Sequence, residues 1–382
     1  MAQTWPPNKW KVSLLRVVDA LGRPLARAVA SHRRADGARE PRRILVVEPW
    51  QIGDVVLVTP LLRALRKCFP RALITLLGKP HAAELLAESG LVDDFIIAEL
   101  PWARPSRKYS PHAFGRMKIR RLIGALRAAS FDLAFDARMD IRSDVLVALS
   151  GSRRRVGLRH HGGDWLLTDA VAIDLLATHR VDDWLALLPA VGCGAPAARE
   201  CLLRTSAEEK AAARRTLEAL ISGSGPIVAI HPGGSHAGKR WPLEGFRRLA
   251  ESLVNDGHRV AVFVDPSGYG TEVGAVAGVA VFRPSLRELM ALLEQCTLLV
   301  CNDSGPMHVA AALGTQTVAI FERGEPRWFG PVGGNHAVLE GKLSGVEVSA
   351  APSTTPPPNP VAFERVRDAV YRHLGSTVQQ LY

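Results

Sequence analysis

Residues 298–321 read LLVCNDSGPMHVAAALGTQTVAIF. An apolar run of strand length, Leu298 to Asn302, leads into a loop of small and polar residues. A helix-like stretch from Met307 to Leu313 and a second apolar run from Thr317 to Phe321 follow. Strand, loop, helix and strand in this order predict a parallel βαβ unit, since parallel neighbours need a crossover of helix length. The loop Cys301-Asn302-Asp303-Ser304-Gly305-Pro306-Met307-His308 then lies at the carboxyl end of a strand and the amino end of a helix, where open α/β sheets take up ligands. Unpaired N–H groups and the positive end of the helix dipole meet there, and Gly305 lets a phosphate approach the backbone. That suits a diphosphate. Asp303 is placed to accept from sugar hydroxyls, and His308, one turn into the helix, to donate to a phosphate oxygen. The plainer reading is an Asp/Ser helix cap beside a surface histidine.

The same alternation extends upstream. Strand Ile227 to His231, a glycine loop, helix Pro242 to Val254, strand Arg259 to Asp265 and helix Leu286 to Gln295 precede the opening stretch. Nearer the amino end, strand Arg43 to Glu48, a loop through Asp54 with a helix to about Phe69, strand Ala72 to Leu77, a helix near His81 to Ser89 and strands at Phe95 to Ile97 and Leu133 to Asp136 repeat the pattern. The expected fold class is α/β, with two doubly wound parallel-sheet domains at 43–205 and 206–345. Residues 346–382 read as a proline-rich connector, Pro352 to Pro360, and a closing helix, Phe363 to Leu374. Residues 1–42 form a basic extension with Leu14, Val17, Val18, Leu21 and Leu25 at helical spacing among Lys11, Arg16, Arg23 and Arg27. The pattern fits either an amphipathic helix on an anionic membrane surface or a helix packed on its own domain, and Gly22 and Pro24 interrupt a single straight one.

The chain has 382 residues, 47% of them hydrophobic, enough for two cores, and a formal net charge of +11 that favours an anionic partner. The five cysteines include no C-x-x-C pair, and their odd number argues against a disulfide framework, so a reducing cytoplasm is expected. No apolar run reaches membrane-spanning length, and no signal-peptide layout is visible.

Further residues carry possible chemistry. His231-Pro232-Gly233-Gly234-Ser235, with Lys239-Arg240-Trp241-Pro242 behind it, combines a backbone anion cradle with a lysine charge. It is not a Walker A motif. Asp265 is placed to hold ribose hydroxyls, or equally to close an Asp-Pro turn. Asp54, in Gln51-Ile52-Gly53-Asp54, is suited either to capping a helix or to taking a proton from an acceptor hydroxyl as a general base. The basic stretch Arg104, Arg107, Lys108, Tyr109, His112, Arg116, Lys118, Arg120 and Arg121 suits an acceptor bearing carboxylates or phosphates, or is simply a solvated face. No nucleic-acid-binding module is visible and aromatics are sparse.

Taken together, these blocks resemble glycosyltransferase family 9, the ADP-heptose:lipopolysaccharide heptosyltransferases, from about Arg43 to Pro331. The carrying marks are Gly53-Asp54 with Thr59-Pro60 and Leu65-Arg66, the His231-Pro232-Gly233 to Lys239-Arg240-Trp241-Pro242 block, and Asp303-Ser304-Gly305 with His308 and Ala311. Arg142-Ser143 and Arg155-Val156-Gly157 add to them. The resemblance implies a GT-B fold, with two Rossmann-like domains facing across a cleft and a closing helix that usually returns to the first. It implies metal-independent, cofactor-free, inverting transfer of a heptose from ADP-heptose to an anionic glycolipid at the inner face of a bacterial membrane. Asp54 would be the base and Lys239 would contact the donor phosphates. Gly233, Gly234, Ser235, Asp265, Ser304, Gly305 and His308 would complete the donor site, with Asp303 on the sugar. Trp50, Gln51, Arg107, Lys108, Arg120 and Arg142 would face the acceptor. Departures from the family pattern occur at Pro49, Trp50 and Gln51, at Gly234, at Arg138-Met139 in place of Gln-Gly, and at Glu322-Arg323 where a glycine is usual. Other readings are a relative using another nucleotide sugar or acceptor, such as an O-antigen or a secondary-metabolite glycan, and a non-catalytic nucleotide-binding protein.

Overall fold

The computed structural model describes residues 19, 20, 22, 24, 40–103, 119–136, 138–160, 162–174, 178–194, 198–334, 336–344 and 355–380. The chain divides into two compact units between Arg199 and Glu200.

The first unit is built on a six-stranded, all-parallel sheet: β1 (Arg43–Val47), β2 (Leu73–Gly78), β3 (Asp94–Ile97), β4 (Leu133–Asp136), β5 (Arg154–Leu158) and β6 (Asp169–Val171). Their order is β3-β2-β1-β4-β5-β6, so the chain reverses direction across the sheet at β1 and β4. Register places Ile44 beside both Ile74 and Leu133. The strands are near-continuous apolar runs because helices cover both faces. These are α1 (Ile52–Leu57), α2 (Thr59–Cys68), α3 (Pro80–Leu86), α4 (Ile119–Ala128), α5 (Ile141–Leu149) and α6 (Arg180–Leu185). Gly157 on β5 is required by close approach: a Cβ there would lie 2.3 Å from the Asp136 carbonyl oxygen.

The second unit has its own six parallel strands: β7 (Ile227–His231), β8 (Arg259–Phe263), β9 (Val279–Phe282), β10 (Leu298–Asn302), β11 (Gln316–Gly324) and β12 (His336–Ser344), in the order β12-β11-β10-β7-β8-β9. Its helices are α7 (Ala207–Leu220), α8 (Leu243–Asn255), α9 (Leu286–Glu294), α10 (Gly305–Ala312), the single turn α11 (Pro326–Phe329) and α12 (Phe363–Gln380). Capping boxes start α7 at Ser206/Glu209 and α9 at Ser285/Glu288.

Two expectations are corrected. The closing helix α12 packs on the second unit itself: Val366, Ala369, Val370 and Leu374 are buried in one core with Trp241, Phe246, Val300 and Ile320. The strap before it is pinned at Val361, whose N–H donates to Glu322 Oε1 (2.7 Å) and whose carbonyl accepts from Trp241 Nε1 (2.7 Å). Arg248 lies 4.1 Å over the Phe363 ring. Glu322, a departure from the family pattern, therefore helps hold the helix on this unit. Secondly, Cys68 and Cys193 are joined in a disulfide, with Cα atoms 5.9 Å apart. An odd cysteine count left room for one pair, and the topology brings the end of α2 beside the turn after Leu188–Val191.

Of the basic extension, Asp19, Ala20, Gly22 and Pro24 are described as helical, and Glu40, Pro41 and Arg42 as the non-helical lead-in to β1. Asp19 is buried and accepts from the Gly162 N–H (2.9 Å), and Gly22 lies so close to Trp165 that a Cβ would stand 2.3 Å from its ring. These contacts fit the packed-helix reading. Among the described residues no helix is long and apolar enough to cross a membrane.

Candidate active site

In the second unit, β7 and β10 are neighbours, so the loops after His231 and Asn302 emerge side by side. Asn302, fully buried, ties them together. Its Oδ1 accepts from Trp241 N (2.8 Å), and its Nδ2 donates to the carbonyls of Pro232 (2.7 Å) and Gly233 (3.2 Å). Gly233 has no room for a side chain: a Cβ would lie 2.6 Å from His231 Cε1 and 3.3 Å from Asp265 Oδ2. His231 is buried beneath this loop, and burial lowers its pKa to about 4. The Gly234 carbonyl is clamped by Arg240 through Nε (3.0 Å) and Nη2 (2.9 Å), and the same guanidinium stacks 4.0 Å over the Tyr269 ring. Ser235 follows in the same loop. The cradle is therefore fixed before any ligand arrives.

Ser304 is the N-cap residue of α10, yet its side chain makes no capping bond, and its Oγ is buried without a partner. A serine in that position ordinarily caps. Here the hydroxyl is left over for something else, at a helix start where Pro306 has no N–H and the Met307 N–H donates to the Ser304 carbonyl (3.2 Å). Lys239 pairs with Asp303, whose carboxylate also lies against Gly324. Gly324 has φ 145°, and a Cβ there would be 2.8 Å from Asp303 Oδ2. Burial, then the charges of Lys239 and Arg323, lower the pKa of His236. Arg323 adds a buried Nε without a partner. Lys239, Arg323 and Arg240 act on His236 together with the one carboxylate of Asp303, so the site carries excess positive charge suited to an anion. His308 is buried on α10. Asp265 closes its own turn, with Oδ1 accepting from the Ser267 N–H (2.8 Å) and hydroxyl.

In the first unit, Asp54 sits in the first turn of α1. Its Oδ2 accepts from the Gln51 N–H (3.1 Å), and its Oδ1 from Arg138 Nη1 (2.8 Å). Burial opposes the charge, but Arg138 and the Gln51 N–H together hold the carboxyl below its ordinary range. Arg138 stacks on Trp50, 4.8 Å from the ring centroid. Trp50 is itself in the core with Leu45, Val47 and Trp102, so it underlies Arg138 rather than lying open to a ligand. Gln51 Nε2 donates to the Ala103 carbonyl (3.1 Å). Arg142 is engaged with Asp140, the N-cap of α5, and Arg120 is exposed on α4. Arg107 and Lys108 lie outside the described residues.

Sequence reasoning missed Glu48. It ends the β1 run, is fully buried, accepts from the Trp50 N–H (3.3 Å) through Oε1, and has no partner for Oε2. Burial raises its pKa to about 8. The signal was available as a carboxylate directly following four buried apolar positions. Arg138 and Arg323 were visible only as departures, without a role.

Two Rossmann-like units, one carrying an anion cradle at its strand ends and the other a charged carboxylate after its first strand, define a glycosyltransferase of the GT-B fold. The family model for glycosyltransferase family 9 (heptosyltransferase) matches residues 119–350, and the chain belongs to that family. Lipopolysaccharide heptosyltransferase 2 of Salmonella typhimurium is 27% identical over 313 residues, covering 76% of this chain and 85% of that protein. Lipopolysaccharide heptosyltransferase 3 of Escherichia coli is 25% identical over 291 residues, covering 70% and 79%. The solved structure of E. coli ADP-heptose lps heptosyltransferase II superposes with a TM-score of 0.69 at 23% identity, covering 88% of this chain and 99% of that one. A family 9 glycosyl transferase from Veillonella parvula gives 0.71 at 22% identity, covering 88% and 97%.

Proposed function

We propose that the protein transfers a heptose from ADP-heptose to an anionic glycolipid of the lipopolysaccharide core, by a single inverting displacement. The observation that carries the donor half is Ser304: a helix N-cap hydroxyl, buried and unspent, beside the Lys239–Asp303 pair. A diphosphate there would accept from Ser304 Oγ and the Gly305 N–H, and would draw Lys239 toward itself. Asp303 is then released to the donor sugar. The similarity to lipopolysaccharide heptosyltransferases supports the choice of sugar and acceptor class.

In the reaction the acceptor oxygen bonds to the anomeric carbon as its proton passes to Asp54. The bond from that carbon to the β-phosphate oxygen breaks, and its electron pair leaves with ADP. Lys239 and the helix terminus stabilise the charge on the leaving diphosphate. We place the enzyme in the cytoplasm, peripheral to an anionic membrane that supplies the acceptor.

A donor screen tests the reading. Release of ADP from ADP-heptose, with a mass increase of one heptose on a core lipooligosaccharide acceptor, is expected. Turnover of UDP- or GDP-sugars alone would overturn the heptose assignment. Asp54→Asn is expected to abolish transfer while ADP binding persists, and retained turnover would remove Asp54 from the mechanism.

A further inference from the structure

Arg138 is the residue that most needs an explanation. Its guanidinium is held from one side by Asp54 (Nη1 to Oδ1, 2.8 Å) and lies flat on Trp50 (4.8 Å). Only 12% of its side chain and 17% of that of Asp54 remain exposed. A carboxylate locked to an arginine is a poor proton acceptor, because the cation stabilises the charged form that must be neutralised. Yet the pair is not sealed. The hydrogen bond to Asp54 uses one guanidinium nitrogen, and a planar five-donor group retains an edge for a second oxyanion. The nearby buried carboxyl, Glu48, makes its hydrogen bond to the Trp50 N–H instead.

We infer that Arg138 is an acceptor-reading latch on Asp54: an anionic group beside the attacking hydroxyl takes the guanidinium, and the carboxylate is released as a base only when that acceptor is bound. The inference rests on the proposed role of Asp54 and deepens it. Binding of the anion replaces Asp54 by the substrate as partner of Arg138, so the guanidinium stays paired throughout. The acceptor hydroxyl then donates its proton to the freed Asp54 as its oxygen bonds to the anomeric carbon, and the electron pair of the broken bond leaves on the diphosphate. A water molecule carries no anion and leaves the latch closed, which limits wasteful donor hydrolysis. The charged and titratable groups around Asp54 are Glu48 just after β1, Lys79 and His81 at the start of α3, Asp136 at the end of β4 with Arg138 after it, and Arg180, itself paired with Asp183, on α6. Of these, Arg138 bonds to the Asp54 carboxylate directly.

The test uses the full-length enzyme, ADP-heptose and three forms of one core lipooligosaccharide: untreated, carboxyl-methylated and phosphatase-treated. Wild type is expected to lose about 10- to 100-fold in acceptor kcat/KM on the form lacking the anion that Arg138 reads, the range for a charge-assisted hydrogen bond. Which treatment does so identifies a carboxylate or a phosphate. Arg138→Gln is expected to stop discriminating among the three. Its acceptor KM should rise by the same factor, its donor KM should stay unchanged, and the acid limb of its kcat/KM profile, which reports the free enzyme, should move to higher pH. Its donor hydrolysis in the absence of acceptor should rise above that of wild type. Arg138→Lys, which keeps the charge without the planar fork, should recover the acid limb but only part of the discrimination, and it serves as the folded control. If Arg138→Gln discriminates as wild type does, or its acid limb stays put while Asp54→Asn is inactive, the latch is wrong and the base assignment stands. If Asp54→Asn retains turnover, the base assignment itself has failed.

Discussion

Replacing Glu48 by glutamine should make the first unit more stable, by an amount that grows with pH. The side chain is fully buried, and its single hydrogen bond, from the Trp50 N–H to Oε1, is one that a glutamine oxygen can accept equally well. Burial raises the folded carboxyl from 4.5 to about 8. A carboxyl raised in this way supports the fold in its protonated form. That contribution is fully present below the unfolded pKa and is lost as pH rises through about 8. At about 1.4 kcal/mol per pH unit, the buried charge costs roughly 5 kcal/mol once the group is ionised, and roughly 3 kcal/mol at pH 7. Glu48→Gln escapes this cost. Its unfolding midpoint should match that of wild type near pH 4.5 and exceed it by about 10 °C or more at pH 9, for a unit of this size. Differential scanning calorimetry at half-unit pH steps reads the difference. A gap that stays constant from pH 5 to 9, or a less stable variant, would refute the argument that Glu48 is buried without a charge partner.

Other outcomes follow from the second unit and the disulfide. Ser304→Ala should leave thermal stability within about 0.5 kcal/mol, since no capping bond is lost, while weakening ADP binding about 5- to 10-fold by calorimetric titration. Asn302→Ala removes the partner of three buried main-chain groups and should destabilise the second unit by roughly 3 kcal/mol or more in urea unfolding, with donor KM rising alongside. Gly233→Ala should raise donor KM without affecting the first unit's transition, because its Cβ must displace His231. Reduction of Cys68–Cys193, 125 residues apart, should lower the first unit's stability by about 4–5 kcal/mol, read as a drop in its melting transition with dithiothreitol and checked by thiol counting.

Much of this fold was legible because apolar strand runs announce themselves. β4, β7 and β10 fall at the predicted residues, and β1, β2, β3, β8 and β11 within a few positions. The strands left out are β5, β6, β9 and β12. β5 begins with two arginines, preceded by a third, and β12 mixes His336, Glu340 and Lys342 into its run, so neither reads as buried. At the site, spacing pointed to Asp54, Lys239 and the Asp303 loop, because small residues and charges at strand ends are local features. What spacing could not convey was pairing. That Asp54 meets Arg138, eighty-four positions away, is a property of the β1–β4 adjacency. Cysteine parity misled for the same reason: it counts residues, whereas a disulfide depends on which chain ends the topology makes neighbours.

The docking of α12 has a consequence for how the protein is divided. All six strands of the second sheet, both ligand-loop candidates and their covering helix lie after Arg199 among the described residues. Among the described residues, the core that holds α12 is drawn from Val228 to Leu374 alone. On the proposed division of labour, the donor-binding half is then a self-contained cassette, able to be recombined with different leading halves without rewiring its interior. Selectivity for the molecule being glycosylated would then be free to change in one gene segment while the other stays fixed.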